Sequence, residues 1–272
     1  MPHGKTWLSF LPLSDDLHHM IEAYGRSWMF NNSVHVQHLL AIALVSMVML
    51  LLALFARAGM SKGKVEGDIL PDDKLTARNF VEILMEGVFT IMEFAMSRKA
   101  ALKHFWLIGP LTFFILFSNL LGLIPGFLPP TENFNTTFAC ATIVFIYYNV
   151  YAFYKLGLSY PAHMANPVGE AWGWFLAPIF FPIELISHCV RPITLGVRLL
   201  CNMAGDHLVL AVFVGIFPLI LPIPFMALGL FVALVQTLIF SMLSCVYLGE
   251  VEHMIEEHEH HHHGAEAGAA AH

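Results

Sequence analysis

The sequence predicts an all-α, polytopic membrane protein with about five transmembrane crossings. Three observations carry that prediction. The 272 residues are 57% hydrophobic and only 12% charged, about half the charged fraction of a soluble domain. Mean hydropathy is +0.68, and apolar runs recur near the ~20 residues that cross ~30 Å of hydrocarbon. The 23 Phe and 14 Met suit lipid-facing and helix-packing surfaces.

The elements follow in order. Residues 1–34 mix aromatic, His and charged side chains without a spanning run. They read as an extramembrane arm with a short interfacial helix at 17–23. The first strong apolar run starts near Leu39, too deep for a cleavable signal peptide. Residues 35–250 form the membrane domain, and its first span is 35–56. A loop at 57–78 carries Gly59, Gly63, Gly67 and Pro71.

Residues 79–96 form a different kind of helix. Glu82, Glu86 and Glu93 fall within about 40° of one another at ~100° per residue. Lys62, Lys64, Lys74 and Arg78 precede it, and Arg98, Lys99 and Lys103 follow. The positive-inside rule puts both flanks in the cytoplasm, so this amphipathic helix lies along the cytoplasmic interface.

The next span, 104–124, contains Pro110 and Asn119. The proline-rich loop 125–137 has no Lys or Arg and fits the outer face. Span 138–154 returns inward to Lys155, and 156–170 is a cytoplasmic loop. Residues 171–217 are almost continuously apolar. As one helix they would run about 70 Å, so the element is strongly tilted, kinked at Pro192, or broken into a hairpin. Residues 225–248 are the last span. The tail, 251–272, is acidic and His/Ala-rich, and reads as disordered and cytoplasmic. Counting the long element once puts the amino terminus outside and the carboxyl terminus inside.

Composition also excludes functions. The net charge of −7 lies mostly in the tail, and no basic stripe supports nucleic-acid binding. No GxxxxGK[ST] phosphate loop occurs. Cys140, Cys189, Cys201 and Cys245 stand singly in apolar runs and read as small packing residues. The tail imidazoles could bind a transition metal, but no metal site and no cofactor is assigned.

The long element carries the chemistry. With Glu184 at the origin of a helical wheel, His188, Arg191, Arg198, Asn202 and Asp206 all fall within about 40° of it. Ser187 flanks this stripe. A charge at mid-bilayer costs at least ~2.5–3.5 kcal/mol, so such a stripe faces protein or water. His207 lies about 180° from Arg198, on the opposite face. A guanidinium stays protonated at any relevant pH. It favours the ionised form of a facing carboxylic acid and cannot itself carry protons. Glu184, His188, Asp206 and His207 can titrate, whereas Asn202, Ser187 and Gln236 can only orient water. The alternative is a hairpin turning at 191–196, with both arginines snorkelling to one interface. His188 and His207 could equally be hydrogen-bonded packing residues.

LGVRLLCNMAGDHLVL resembles the signature of subunit a of F-type ATP synthases, an arginine followed four residues later by asparagine. FSNLLGLIPG, PIELIS and LVQTLIFSMLSCVYLGE resemble further parts of that family. The resemblance covers most of residues 75–258. It implies a long tilted helical hairpin, the long element plus the last helix, facing a ring of c subunits. Two offset half-channels would deliver protons to and from that ring, coupling proton flow to rotation and ATP synthesis. Arg198 would separate the half-channels and release the proton from each ring carboxylate, with Gln236 packed near it. Asn202, Asp206 and His207 would belong to the outer half-channel, and Glu184, Ser187 and His188 to the cytoplasmic exit. The subunit would be non-catalytic on its own and would sit in a bacterial-type inner (plasma) membrane. Its partners would be the c ring, peripheral-stalk b subunits, other synthase subunits and the lipid bilayer.

The sequence departs from the family at three places. Members often carry an acid or histidine seven residues before the glutamine; Gly229 stands there. His207 would then use Asp206, a group on another span, or water. Cys201 stands where Gly or Ala is common, and Arg191 has no assigned partner beyond Glu184 or a neighbouring subunit. Other readings stay open: a sodium-coupled version of the same subunit, a haem-bearing electron carrier using His104, His188 and His207, and an independent ion or metal transporter.

Overall fold

The computed structural model describes residues 36–60, 77–124, 127, 129–157, 159–161, 173–216 and 222–270. The amino-terminal arm, its expected helix at 17–23 and most of the loop 57–78 lie outside the described residues. Within them the chain is all helical: α1 (Val36–Met60), α2 (Ala77–Ala95), α3 (Arg98–Gly122), a 3-10 turn (Pro130–Glu132), α4 (Phe134–Leu156), α5 (Gly173–Ile216) and α6 (Pro222–Ala270). Five of these are long and apolar enough to cross a membrane: α1, α3, α4, α5 and α6. The amphipathic α2 is outside that set.

Local chemistry moves several boundaries. α3 starts at Arg98, before the expected 104, because the Ser97 side chain caps it by accepting from the Ala100 amide at 3.4 Å. Asn133 likewise caps α4 by accepting from the Asn135 amide at 3.0 Å, so α4 begins at Phe134 and not at 138. The hairpin alternative at 191–196 does not form. α5 is one 44-residue helix with Pro178, Pro182 and Pro192 inside it, roughly 66 Å long. In hydrocarbon every backbone polar group needs an internal partner, so a continuous helix costs less than an open turn there. The expected disordered tail is a second correction: α6 runs on as helix to Ala270. Glu, His and Ala fill that stretch with no proline to stop it, and Glu and Ala rank high in helix propensity.

α5 packs most extensively on α4, while α6 packs on α3, α5 and α2. Small residues permit the close approach that dispersion-driven helix packing in lipid requires. Ala100, Ala101, Ala141, Ala152, Ala233, Cys140 and Cys245 are buried at these seams. Gly196 is the tightest on α5: a Cβ there would sit 3.3 Å from the Phe138 Cα of α4. Cys189 and Cys201 are exposed, so only Cys140 and Cys245 act as packing residues within this chain.

A polar cluster ties α6 to α3 and α4. Fully buried His104 bonds the Tyr147 hydroxyl through Nδ1 at 2.8 Å and the Glu252 carboxylate through Nε2 at 2.8 Å. Tyr151 donates to the same Glu252 oxygen at 2.8 Å, and the Lys103 ammonium lies 3.2 Å from it. A single carboxylate thus satisfies donors from two other helices. Replacing Glu252 with Ala leaves them unpaired, and the expected loss is about 1–3 kcal/mol. A thermal melt of the detergent-solubilised protein measures it; an unchanged midpoint would show that the cluster is not a lock.

Candidate functional site

The middle of α5 positions the polar stripe, and the neighbouring helices sort its members. Arg198 lies on the exposed face and makes no hydrogen bond or ion pair among the described residues. Its neighbours Leu195 and Leu199 turn inward and are buried. One turn on, the Asn202 amide donates to the Gln236 side-chain carbonyl of α6. Gln236 is buried, and its own Nε2 has no partner among the described residues. The structure therefore brings Asn202 and Gln236 together beside Arg198, with the guanidinium left facing outward.

Arg191, one stripe position earlier, is compensated within the chain. Its Nη1 donates to the Glu250 carboxylate of α6 at 2.5 Å, and its Nη2 lies 4.0 Å from Glu184. The guanidinium also sits 4.9 Å from the Tyr247 ring centroid, a cation–π contact. Glu184 is about half-exposed, and Ser187 is exposed.

His188 points into the bundle. Its Nε2 lies 2.9 Å from the Tyr160 hydroxyl, and Phe145 and Tyr148 pack edge-on or tilted around the ring. The Asn149 amide donates to the Phe145 carbonyl at 2.8 Å, which turns Asn149 Oδ1 toward Tyr160. The Tyr160 proton goes to that oxygen at 3.2 Å, so the Tyr160 oxygen accepts from His188 Nε2–H. Burial pushes the Tyr160 phenol up to about 12, keeping that proton in place.

His207 leaves the stripe and meets the far end of α3. Its Nε2 lies 2.9 Å from the Gly122 carbonyl, and its Nδ1 lies 3.6 Å from Glu132 in the 3-10 turn. Gly122 allows this approach: a Cβ there would come within 2.1 Å of Met203 and 3.0 Å of His207 Nε2. Asp206 is half-buried next to it and makes no hydrogen bond among the described residues. Gly229 of α6 is buried, and a Cβ on it would meet Leu123 at 2.9 Å.

Sequence reasoning missed Glu132, Tyr160 and Glu250. Glu132 had a usable signal, as the sole acid between Glu93 and Glu170. Tyr160 and Glu250 had none short of the fold. Among the described residues no group of three His, Cys, Asp or Glu side chains gathers to hold a metal ion. His104, His188 and His207 each bond to a different set of groups.

Comparison with known proteins gives the family. Residues 38–249 match the model of the ATP synthase A chain. The "ATP synthase subunit a" of Sorangium cellulosum is 39% identical over 260 residues, 95% of this chain and 100% of that protein. The protein of the same name from Bdellovibrio bacteriovorus is 43% identical over 71% of this chain and 82% of its own length. That from Geobacter sulfurreducens is 42% identical over 63% and 72%. With five apolar helices and a match across almost all of the membrane region, the chain belongs to the ATP synthase A chain family and is a multi-pass membrane component of an F-type synthase.

Proposed function

We propose that the chain is the proton-translocating stator subunit of its synthase, moving protons between bulk water and a rotating c ring. The observation that carries this reading is Arg198: a permanent cation on the exposed face of an apolar helix, unpaired, while Arg191 seven residues earlier is fully compensated. A charge in hydrocarbon demands a partner. Arg198 has none within the described residues, and in this reading its partner belongs to another subunit. A carboxylic acid on a ring helix fits, because the guanidinium stabilises the carboxylate and expels its proton.

In this reading Arg198 separates two half-channels. Glu184, Ser187 and His188 lie toward the cytoplasmic exit, His188 as a positioning group held by Tyr160. Asn202, Asp206 and His207 belong to the outer half-channel. Gln236 holds Asn202 and keeps α6 in register with the arginine. The amino terminus is outside and the carboxyl terminus cytoplasmic. Peripheral-stalk b subunits hold this chain still against the ring. The subunit performs no nucleotide chemistry of its own, and the ion is the proton.

Two outcomes follow. Arg198→Ala abolishes proton-driven ATP synthesis in membrane vesicles while the complex still assembles; normal coupled synthesis in that variant sinks the mechanism. Asn202→Leu alone leaves the buried Gln236 carbonyl without its donor and costs about 1–3 kcal/mol, whereas the double change with Gln236→Leu costs less than the sum of the singles. A double-mutant cycle on thermal stability reads this. Strict additivity would mean the two amides are not coupled.

A further inference from the structure

The 3-10 turn Pro130–Glu132 is a rigid mount. Pro129 and Pro130 preset its backbone, and the Glu132 amide closes on the Pro129 carbonyl at 3.1 Å. Thr131, fully buried, donates to the Asn119 side chain of α3 at 2.9 Å. That bond fixes the turn against the end of α3 and holds the next residue, Glu132, toward α5. The Glu132 Oε2 atom is buried without a hydrogen-bond partner, 3.6 Å from His207 Nδ1.

The tautomer of His207 decides what the pair can do. A backbone carbonyl only accepts, so the 2.9 Å contact with Gly122 requires a proton on Nε2. In the neutral ring Nδ1 is then the bare nitrogen, and it faces the Glu132 carboxyl. Few other ionisable groups pack around the turn. α3 carries no ionisable side chain between Trp106 and Gly122. α4 carries no acid, histidine, lysine or arginine before Lys155. α1 brings His38 in its first turn, and α5 brings Asp206 beside His207. Burial raises the Glu132 carboxyl above the usual carboxylate range, with the facing imidazole pulling the other way.

We infer that Glu132 and His207 form a proton-relay pair at the inner end of the outer half-channel, with Glu132 supplying the carboxyl group that α6 lacks at Gly229. The inference rests on the stator reading above. One proton moves in each relay step. The O–H bond of neutral Glu132 breaks and an N–H bond forms at Nδ1, giving a carboxylate facing an imidazolium. Water on the outer side reprotonates the carboxylate, and Nδ1 releases its proton to water leading toward the ring. Nε2–H stays on the Gly122 carbonyl throughout, so the ring never has to flip. The 3.6 Å separation closes to a direct bond by a small side-chain shift, or is bridged by one water.

The test measures proton-driven ATP synthesis against outer pH in vesicles, normalised to assembled complex, for Glu132→Gln, Glu132→Asp and Arg198→Ala. Glu132→Gln keeps the shape but carries no proton, and synthesis is expected to fall about 10-fold or more. Glu132→Asp keeps a carboxyl of slightly lower intrinsic pKa, retains part of the rate, and displaces the pH profile to lower pH. If Glu132→Gln runs at the native rate with the native profile, the relay is wrong. The relay is also wrong if both variants lose equally and neither shifts the profile, because the side chain is then only structural. Should the glutamine variant fail to assemble, the profile of Glu132→Asp decides alone. Arg198→Ala separates the two levels: if it stays coupled, the stator reading fails, whereas a dead Arg198→Ala beside a normal Glu132→Gln overturns the relay only.

Discussion

The structure depends on how a low-dielectric bundle treats two arginines. Both sit on one helical stripe of α5, seven residues apart, and each would be costly if left bare in hydrocarbon. The bundle compensates one and not the other. Arg191 receives Glu250, approaches Glu184 and lies over Tyr247. Arg198 receives no partner among the described residues. A guanidinium already neutralised by its own chain has little left to offer a passing carboxylate. The internal pairing of Arg191 therefore leaves Arg198 as the cation on that face with no partner among the described residues.

Placement of that cation rests on contacts far from it. Gly196, two residues before Arg198, lets α5 press backbone to backbone on α4. The Asn202–Gln236 bond ties the next turn to α6, and α6 is tied in turn by Glu252 to His104, Tyr151 and Lys103. Because helix packing in lipid lacks a strong hydrophobic drive, such polar ties and small-residue seams supply much of the order. The proposed encounter of Arg198 with a moving ring would need this stiffness, since a misplacement of about 1 Å can cost two orders of magnitude in rate.

Most of the architecture was legible in the sequence, for a physical reason. Hydrocarbon imposes length and apolarity on each span, and both are local properties that a run such as 35–56 displays directly. The stripe from Glu184 to Asp206 was legible too, because helical period alone aligns it. Partners were a different matter. Arg191 finds Glu250 and His207 finds Glu132 only because separate helices meet, and no local pattern encodes those meetings. The helix boundaries at Arg98 and Phe134 turned on single capping side chains, Ser97 and Asn133, which a hydropathy reading passes over. The tail shows the converse error: low complexity suggested disorder, while Glu and Ala carry the helix on to Ala270.

The opposition of Arg198 and His207 across α5 has an electrostatic consequence of its own. Buried Leu199 and Met203 lie on the helix flank between them, and Asn202 and half-buried Asp206 share that side. Nine residues of helical rise combine with the helix width to put Arg198 and His207 roughly 17 Å apart, where two unit charges interact by roughly 1 kcal/mol at an effective dielectric of about 20. A proton arriving at His207 is thus weakly repelled by the arginine. The repulsion grows as the proton moves toward the Arg198 face. In the proposed mechanism the favourable way out of that field is onto a carboxylate of the ring, which carries the negative charge Arg198 lacks among the described residues. In the proposed mechanism an arginine without a partner among the described residues is what turns a leak path into a coupled one.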